Sequence, residues 1–415
     1  MTERPTVLIG GGLAAVTAAE TLRDEGYDGP IQLIGREAHE PYLRPPLSKG
    51  LLLGTDDEES IRLRGADWYD CHDVELLLGA EVVGIGRREQ LLDVRGRGPV
   101  PYGRLLIATG ASPRALPIPG ADLDGVLLLR TLDDTRRLQA ALVEGAGADA
   151  RRLVVVGSGW IGMEIAAAAS TLGADVTVVG LEQVPLSGAL GRDIGGVFLN
   201  RHRRAGVRFR LGETVTAIAG TDGRASGVVL GSGEQVPADL VLVAVGVRPE
   251  DDLARRAGLT VDNGIRVGDS LRTNDPAIWA AGDVAAVYRP DIGRVERLEH
   301  WANAIATGKV AARSMLHLPA RLDELPYFYT DQFDLGMEYW GHPSLTVGAE
   351  LVIRGDLDSG AFVGFWLRPD DLGTVRVVAG MHVNVWNAQH ELTELIRSGA
   401  AVSAEQLVAS PGKAA

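Results

Sequence analysis

The chain has 415 residues, 46% of them hydrophobic and 23% charged, which is enough apolar material for the cores of several domains and too much for a disordered chain. Acidic residues outnumber basic ones by 55 to 41, and the net charge of −14 argues against a nucleic-acid binder. A single cysteine, Cys71, excludes an internal disulfide framework and any cysteine-ligated iron–sulfur centre, and it fits a cytoplasmic, reducing setting.

The opening MTERPTVLIGGG lacks the layout of a secretory signal. Its VLIG run is predicted to be a strand, followed by a glycine turn, a helix ending near Gly26 and a second strand, IQLIG, at 31–35. The run LLIATG at 105–110 reads as another strand. Residues 154–169, VVVGSGWIGMEIAAAA, repeat the opening pattern, with a helix ending near Gly173 and the strand VTVVG at 176–180. The apolar stretch from Leu153 to Gly173 contains Glu164 and several glycines, so it is a buried strand–turn–helix and no membrane span. ADLVLVAVGV at 238–247 and AIWAAGD at 277–283 are further strands. The last hundred residues change character: an aromatic run, PYFYTDQF at 326–333, antiparallel strands from 350 to 386, an amphipathic helix over about 387–398, and a frayed tail, ASPGKAA.

Glycine is the compositional outlier, 53 residues, nearly twice the usual share. Its use is explained by the repeat, whose first glycines, Gly10 and Gly157, lie too far apart for a solenoid. In the first copy Gly10 serves the tight turn, Gly12 lets a pyrophosphate approach the backbone, and Ala15 takes the helix-packing position. In the second the same positions are Gly157, Gly159 and Gly162. Each helix N-terminus then offers free N–H groups to phosphate oxygens. Two such loops in one chain imply one bound FAD and one exchangeable nicotinamide dinucleotide. The fold class is therefore α/β: two Rossmann-like dinucleotide-binding domains, the second inserted in the first, plus a C-terminal α+β domain. The boundaries expected are 1–113 with 245–319 for the FAD domain, 114–244 for the NAD domain and 320–415 for the last.

The motifs PYLRPPLSKG (41–50), ATGA (108–111), LRTLDD (129–134), GSGWIGMEIA (157–166), AAGDV (280–284), EHWANA (299–304) and PYFYTDQF resemble, over nearly the whole chain, those of the FAD-dependent ferredoxin reductases of oxygenase and cytochrome P450 systems, with a glutathione-reductase-type fold. The resemblance implies that Arg44 pairs with FAD oxygens, that Pro45 stiffens the chain beside the ring, and that Lys49 approaches flavin N5. It further implies that Asp283 accepts a hydrogen bond from a ribityl hydroxyl, with Val284 beside it. Thr109 and Gly110 lie at the crossover below the cofactor, Arg130 touches the FAD, and Trp301 and Tyr329 are aromatic neighbours of the ring. Ile161 and Gly246 are further cofactor-binding positions. Glu164 pairs with Lys49, and a cation there stabilises the charge that hydride brings to the flavin. Lys49 and Glu164 are thus the expected catalytic residues.

The chain departs from the family pattern at three places. After the second strand of the FAD unit the usual acid is replaced by Arg36, so either Glu37 binds the adenine ribose or Arg36 contacts the adenine. The matching acid of the NAD unit is replaced by Gly180, with Glu182 the nearest carboxylate; Glu182 and the lack of an Arg or Lys within the next ten residues favour NADH over NADPH. Tyr329 stands where tryptophan is usual. No CxxxxC pair faces the flavin, so electrons are expected to leave singly to a 2Fe–2S ferredoxin that serves a cytochrome P450 or oxygenase. A rubredoxin or other small-carrier reductase, and an NADH-responsive interaction protein resembling apoptosis-inducing factor, are the alternatives. The histidines show no metal spacing, so no metal is expected. Arg62, Arg64, Lys309 and Arg313 are the candidate docking cations, and RHRR at 201–204 reads as a solvated helix face.

Overall fold

The computed structural model describes residues 4–143, 151–370 and 372–409. Of the expected C-terminal tail, everything from residue 410 on lies outside the described residues. The chain folds into two compact units, one formed by residues 1–44, 57–112 and 247–324, the other by 45–56, 113–246 and 325–415. The three-part division read from the sequence is finer than this.

The first unit is built on a parallel five-stranded sheet in the order Ile278–Ala280, Arg104–Ile107, Thr6–Ile9, Ile31–Ile34, Val74–Leu77. Its strands are short and almost wholly apolar, as a sheet buried on both faces requires. The helix Leu13–Asp24 leaves the central strand through the first glycine loop and packs on the helix Trp301–Met315. The two touch backbone to backbone at Gly308, where a β-carbon would lie 2.5 Å from the Ala14 carbonyl oxygen. Trp279, Tyr69 and Tyr102 are the largest side chains sealed in this core.

The second unit contains a matching parallel sheet in the order Arg208–Leu211, Asp175–Gly180, Arg152–Val156, Leu240–Val243, Val126–Leu127. Leu240–Val243 is therefore an inner strand of this sheet. The chain returns to the first unit at 246–247. The helix Trp160–Thr171 is buried from Gly162 to Ala169, which its run of alanines permits.

Residues 327–383 form an antiparallel five-stranded sheet in the order Tyr327–Gln332, Leu335–Gly341, Val375–Val383, Ala361–Pro369, Glu350–Asp356. It starts at the aromatic run itself, earlier than the sequence indicated. One face, with Phe362 and Met381, packs on Met163, Ile194 and Phe198. The other receives Leu392 of the helix Gln389–Ser398. A further short helix, Ala404–Ala409, was not anticipated.

One surface reading needs correction. In RHRR, His202 is wholly buried, with its ring nitrogens 2.8 Å from the Phe198 carbonyl oxygen and 3.0 Å from that of Met163. Arg201 pairs with Asp334 and lies over Phe333, so only Arg203 and Arg204 are exposed. Among the candidate docking cations, Arg62, Arg64 and Arg313 are paired with Glu40, Glu20 and Glu25.

Candidate active site

In the first unit Gly10 adopts φ +124°, and a β-carbon there would lie 2.2 Å from the Ala108 carbonyl oxygen, so only glycine fits. Beyond it Gly12 caps the helix Leu13–Asp24 with no side-chain cap and open space where a β-carbon would stand. Ala15, at the third position, is fully buried. A bare helix N-terminus beside an open backbone is the donor set that a pyrophosphate needs, so the loop fits a dinucleotide.

The same unit brings the AAGDV segment to this loop. A β-carbon on Gly282 would sit 3.1 Å from the Ala14 methyl, and the Gly282 N–H donates to Thr307 Oγ1 at 2.9 Å. Asp283 follows in a 3-10 turn with Val284 buried beneath it. Its main-chain oxygen accepts from Arg297 at 3.1 Å. His300 caps the helix Trp301–Met315; burial pushes its ring down to about 4, against the opposing pull of Asp283 and Glu296. Trp301, next in sequence, is 40% exposed. Thr109 donates to the Glu250 carbonyl oxygen at 2.7 Å, and Gly110 at φ +70° accepts from the Glu250 N–H at 2.9 Å.

Glu37 is held fast. Arg44 Nη2 reaches its Oε1 at 2.7 Å, the Tyr42 hydroxyl donates to its other oxygen, and the Arg44 guanidinium lies over the Tyr42 ring. Burial raises the Glu37 carboxyl, but Arg44 and the Tyr42 hydroxyl outweigh it and hold the group below the usual carboxylate range. Arg36 is exposed.

In the second unit Gly157 repeats Gly10: φ +117°, with a β-carbon 2.2 Å from the Ala244 carbonyl oxygen. Gly159 caps the helix Trp160–Thr171 with open space beside it, so this loop fits a second dinucleotide. A β-carbon on Gly162 would strike the Gly157 carbonyl oxygen at 2.2 Å, and Ile161 points outward, 43% exposed. At the end of the strand Asp175–Gly180, Ser158 fills the room that a side chain on Gly180 would need, 2.4 Å from the β-carbon position. Glu182 Oε1 accepts from the Gly188 N–H at 3.1 Å. Gly246, at φ +92°, accepts from the Arg114 N–H at 2.9 Å, and the Arg130 N–H donates to Asp134 Oδ2 at 3.1 Å.

Glu164 lies in the second turn of this helix, 5% exposed. Lys49 Nζ stands 2.7 Å from its Oε2. Lys49 reaches it because residues 45–56 belong to this unit: Leu52 is buried with Ile165 and Leu138, and the Leu47 carbonyl oxygen accepts from Thr135. Lys49 also lies 3.5 Å from the Pro45 carbonyl oxygen and 5.8 Å from the centre of the Tyr329 ring. Two residues that the sequence reading passed over complete the contact: Ser48 donates to Glu164 Oε2 at 2.5 Å and Thr330 to Oε1 at 2.7 Å. Their one signal in the sequence is adjacency to Lys49 and Tyr329. Asp331 is raised by burial and by Glu164, against the pull of Lys49, while burial and the charges of Asp331 and Glu164 raise the Tyr329 phenol. Among the described residues no group of three or more His, Cys, Asp or Glu could hold a metal ion, and no helix is long and apolar enough to cross a membrane.

Two bare phosphate loops, each opening a helix off a parallel sheet, define an oxidoreductase of the two-dinucleotide class. The chain belongs to the pyridine nucleotide-disulphide oxidoreductase family, whose model matches residues 4–308, and the reductase C-terminal domain matches 327–411. It is 41% identical to rhodocoxin reductase of Rhodococcus erythropolis over 86% of this chain and 82% of that one. It is 38% identical to the ferredoxin–NAD(+) reductase component of the anthranilate 1,2-dioxygenase system of Burkholderia cepacia, over 98% and 97%. Among solved structures, the covalent putidaredoxin reductase–putidaredoxin complex matches with a TM-score of 0.91 at 31% identity, covering all of this chain and 98% of that one.

Proposed function

We propose that this protein is a cytoplasmic NADH:ferredoxin oxidoreductase that carries FAD and feeds a 2Fe–2S ferredoxin serving a cytochrome P450 or another oxygenase. The observation that carries the reading is two phosphate loops in a chain whose single cysteine, exposed Cys71, can form no internal dithiol. FAD supplies the redox chemistry, because it accepts a hydride and gives up electrons one at a time. In the first unit Gly10, Gly12 and Ala15 form the loop that receives its pyrophosphate, Glu37 meets the adenine ribose, Arg44 its phosphate or ribose oxygens, and Asp283 its ribityl chain. Thr109, Gly110, Val284 and Trp301 shape that site. In the second unit Gly157, Gly159, Ile161, Gly162, Glu182 and Gly246 serve NADH, and Arg130 is assigned to the FAD. Pro45, Lys49, Glu164 and Tyr329 stand at the hydride-transfer end, where the Lys49 ammonium balances incoming negative charge and Glu164 keeps it oriented. The finer division into a FAD domain (1–113, 245–319), an NAD domain (114–244) and a C-terminal domain (320–415) belongs to the same proposal.

The test is direct. Purified protein should carry one FAD per chain, be reduced anaerobically by NADH faster than by NADPH, and reduce cytochrome c only when a 2Fe–2S ferredoxin is added. Folded protein that takes up no FAD, or that reduces small disulfides in place of ferredoxin, would overturn the proposal.

A further inference from the structure

We infer that Ser48 and Thr330 are positioning residues for hydride transfer, acting through the Glu164 carboxylate; this rests on the function proposed above. Glu164 is almost wholly buried, and a buried carboxylate needs every lone pair it turns inward to be met. Three donors meet it: Thr330 Oγ1 at Oε1, and Ser48 Oγ and Lys49 Nζ together at Oε2. The direction of one hydroxyl is fixed from outside. Gln332, itself fully buried, donates its Nε2 hydrogen to Thr330 Oγ1 at 3.1 Å. Thr330 then spends its own proton on Glu164, and the order is amide to hydroxyl to carboxylate.

The consequence falls on Lys49. Its ammonium faces two carboxylates, Glu164 in contact and Asp331 nearby, and the ring of Tyr329. A carboxylate free to turn would let Lys49 swing toward Asp331. With Oε1 tied to the strand Tyr327–Gln332 and Oε2 tied to the turn Pro45–Ser48, Glu164 has one orientation, and Lys49 one place. A displacement of a charged group by about 1 Å is enough to slow a well-oriented transfer substantially.

Thr330→Val keeps the shape and removes the hydroxyl; Ser48→Ala does the same on the other oxygen; Thr330→Ser puts the hydroxyl back. Each deletion should slow NADH reduction of the bound FAD, at saturating NADH and per bound FAD, about tenfold, the value of one hydrogen bond to a charged group. Thr330→Ser should return to within about twofold of the parent. In a Glu164→Gln background either deletion should add less than about twofold, because its route of action is already cut. A second readout needs no turnover. The chain has three lysines, Lys49, Lys309 and Lys413, so nitrogen-15 lysine labelling gives at most three ammonium signals. In the FAD-loaded protein the Lys49 signal should be protected and sharp in the parent and in Thr330→Ser, and lost in Thr330→Val. Parental rates in both deletions with an intact Lys49 signal would overturn the inference. Failure of NADH to reduce the unsubstituted protein would instead overturn the proposed function, and the ammonium signals would still report whether the hydroxyls hold the pair.

Discussion

Both glycine loops begin alike, Gly10 and Gly157 sharing one backbone conformation and each lying too close to a carbonyl oxygen to carry a β-carbon. They diverge one strand later. In the first unit the acid after the second strand, Glu37, is fixed by a guanidinium and a phenol. In the second unit the strand ends on Gly180, packed against Ser158, and the nearest acid, Glu182, is held by one backbone amide. A rim closed by a charged network suits a nucleotide that stays, and a rim closed by one amide suits a nucleotide that exchanges. Under the proposed function, the same loop would serve a resident cofactor or a passing substrate according to what finishes its edge.

Substituting the loops gives the largest contrast. Gly10→Ala forces a left-handed backbone and a 2.2 Å clash, and should give colourless, destabilised protein. Gly157→Ala meets the same clash in the second unit and should keep FAD while losing at least about 100-fold in NADH reduction. Absorbance per chain and stopped-flow traces read both; a colourless Gly157→Ala protein would break the division of labour.

Lys49→Met comes next. It removes the cation paired with Glu164 and should slow flavin reduction about 100-fold, about 2.7 kcal/mol in the barrier, with FAD content unchanged. Loss of FAD in parallel would move Lys49 from chemistry to retention.

His300 sharpens the comparison through pH. Its ring is pushed from 6.5 to about 4 by burial, so the unfolded chain binds its proton more readily than the folded one. Stability is therefore full above about pH 6.5 and falls as the pH drops through the window to about 4, by roughly 2 kcal/mol at pH 5. Melting curves should lose this acid step in His300→Asn; an unchanged step would assign it to other groups.

The smallest effect concerns the open rim. Gly180→Glu alone drives its side chain into Ser158 and should weaken NADH and NADPH alike. With Ser158→Gly added, the new carboxylate can reach a ribose, and the preference for NADH should rise about tenfold, about 1.4 kcal/mol. A single substitution that already improves selectivity would show that Ser158 yields.

The loops were legible in the sequence because their constraint is local: a glycine between a short apolar strand and an alanine-rich helix. Lys49 and Glu164 were legible through the motifs around them. Ser48 and Thr330 were not, since a serine and a threonine 116 and 166 residues from Glu164 carry no sign of what they face. His202 was misread for the same reason. A charged tetrapeptide reads as surface, and only the packing of Phe209 and Phe333 around the ring reveals otherwise.

Each unit is assembled from three separated stretches, and this has a consequence for biosynthesis. The first unit lacks its edge strand Ile278–Ala280 and the helix Trp301–Met315 until residue 315 has left the ribosome, and the second lacks its antiparallel sheet until residue 383 has. The second cannot close until the whole of the first has been made, and the first cannot close until residues 113–246 of the second have been made, so the nascent chain has no early folded domain to shelter behind. Its exposed strands must be held apart through most of translation, and its folding should be slow and dependent on chaperones, more so than the compactness of either finished unit suggests.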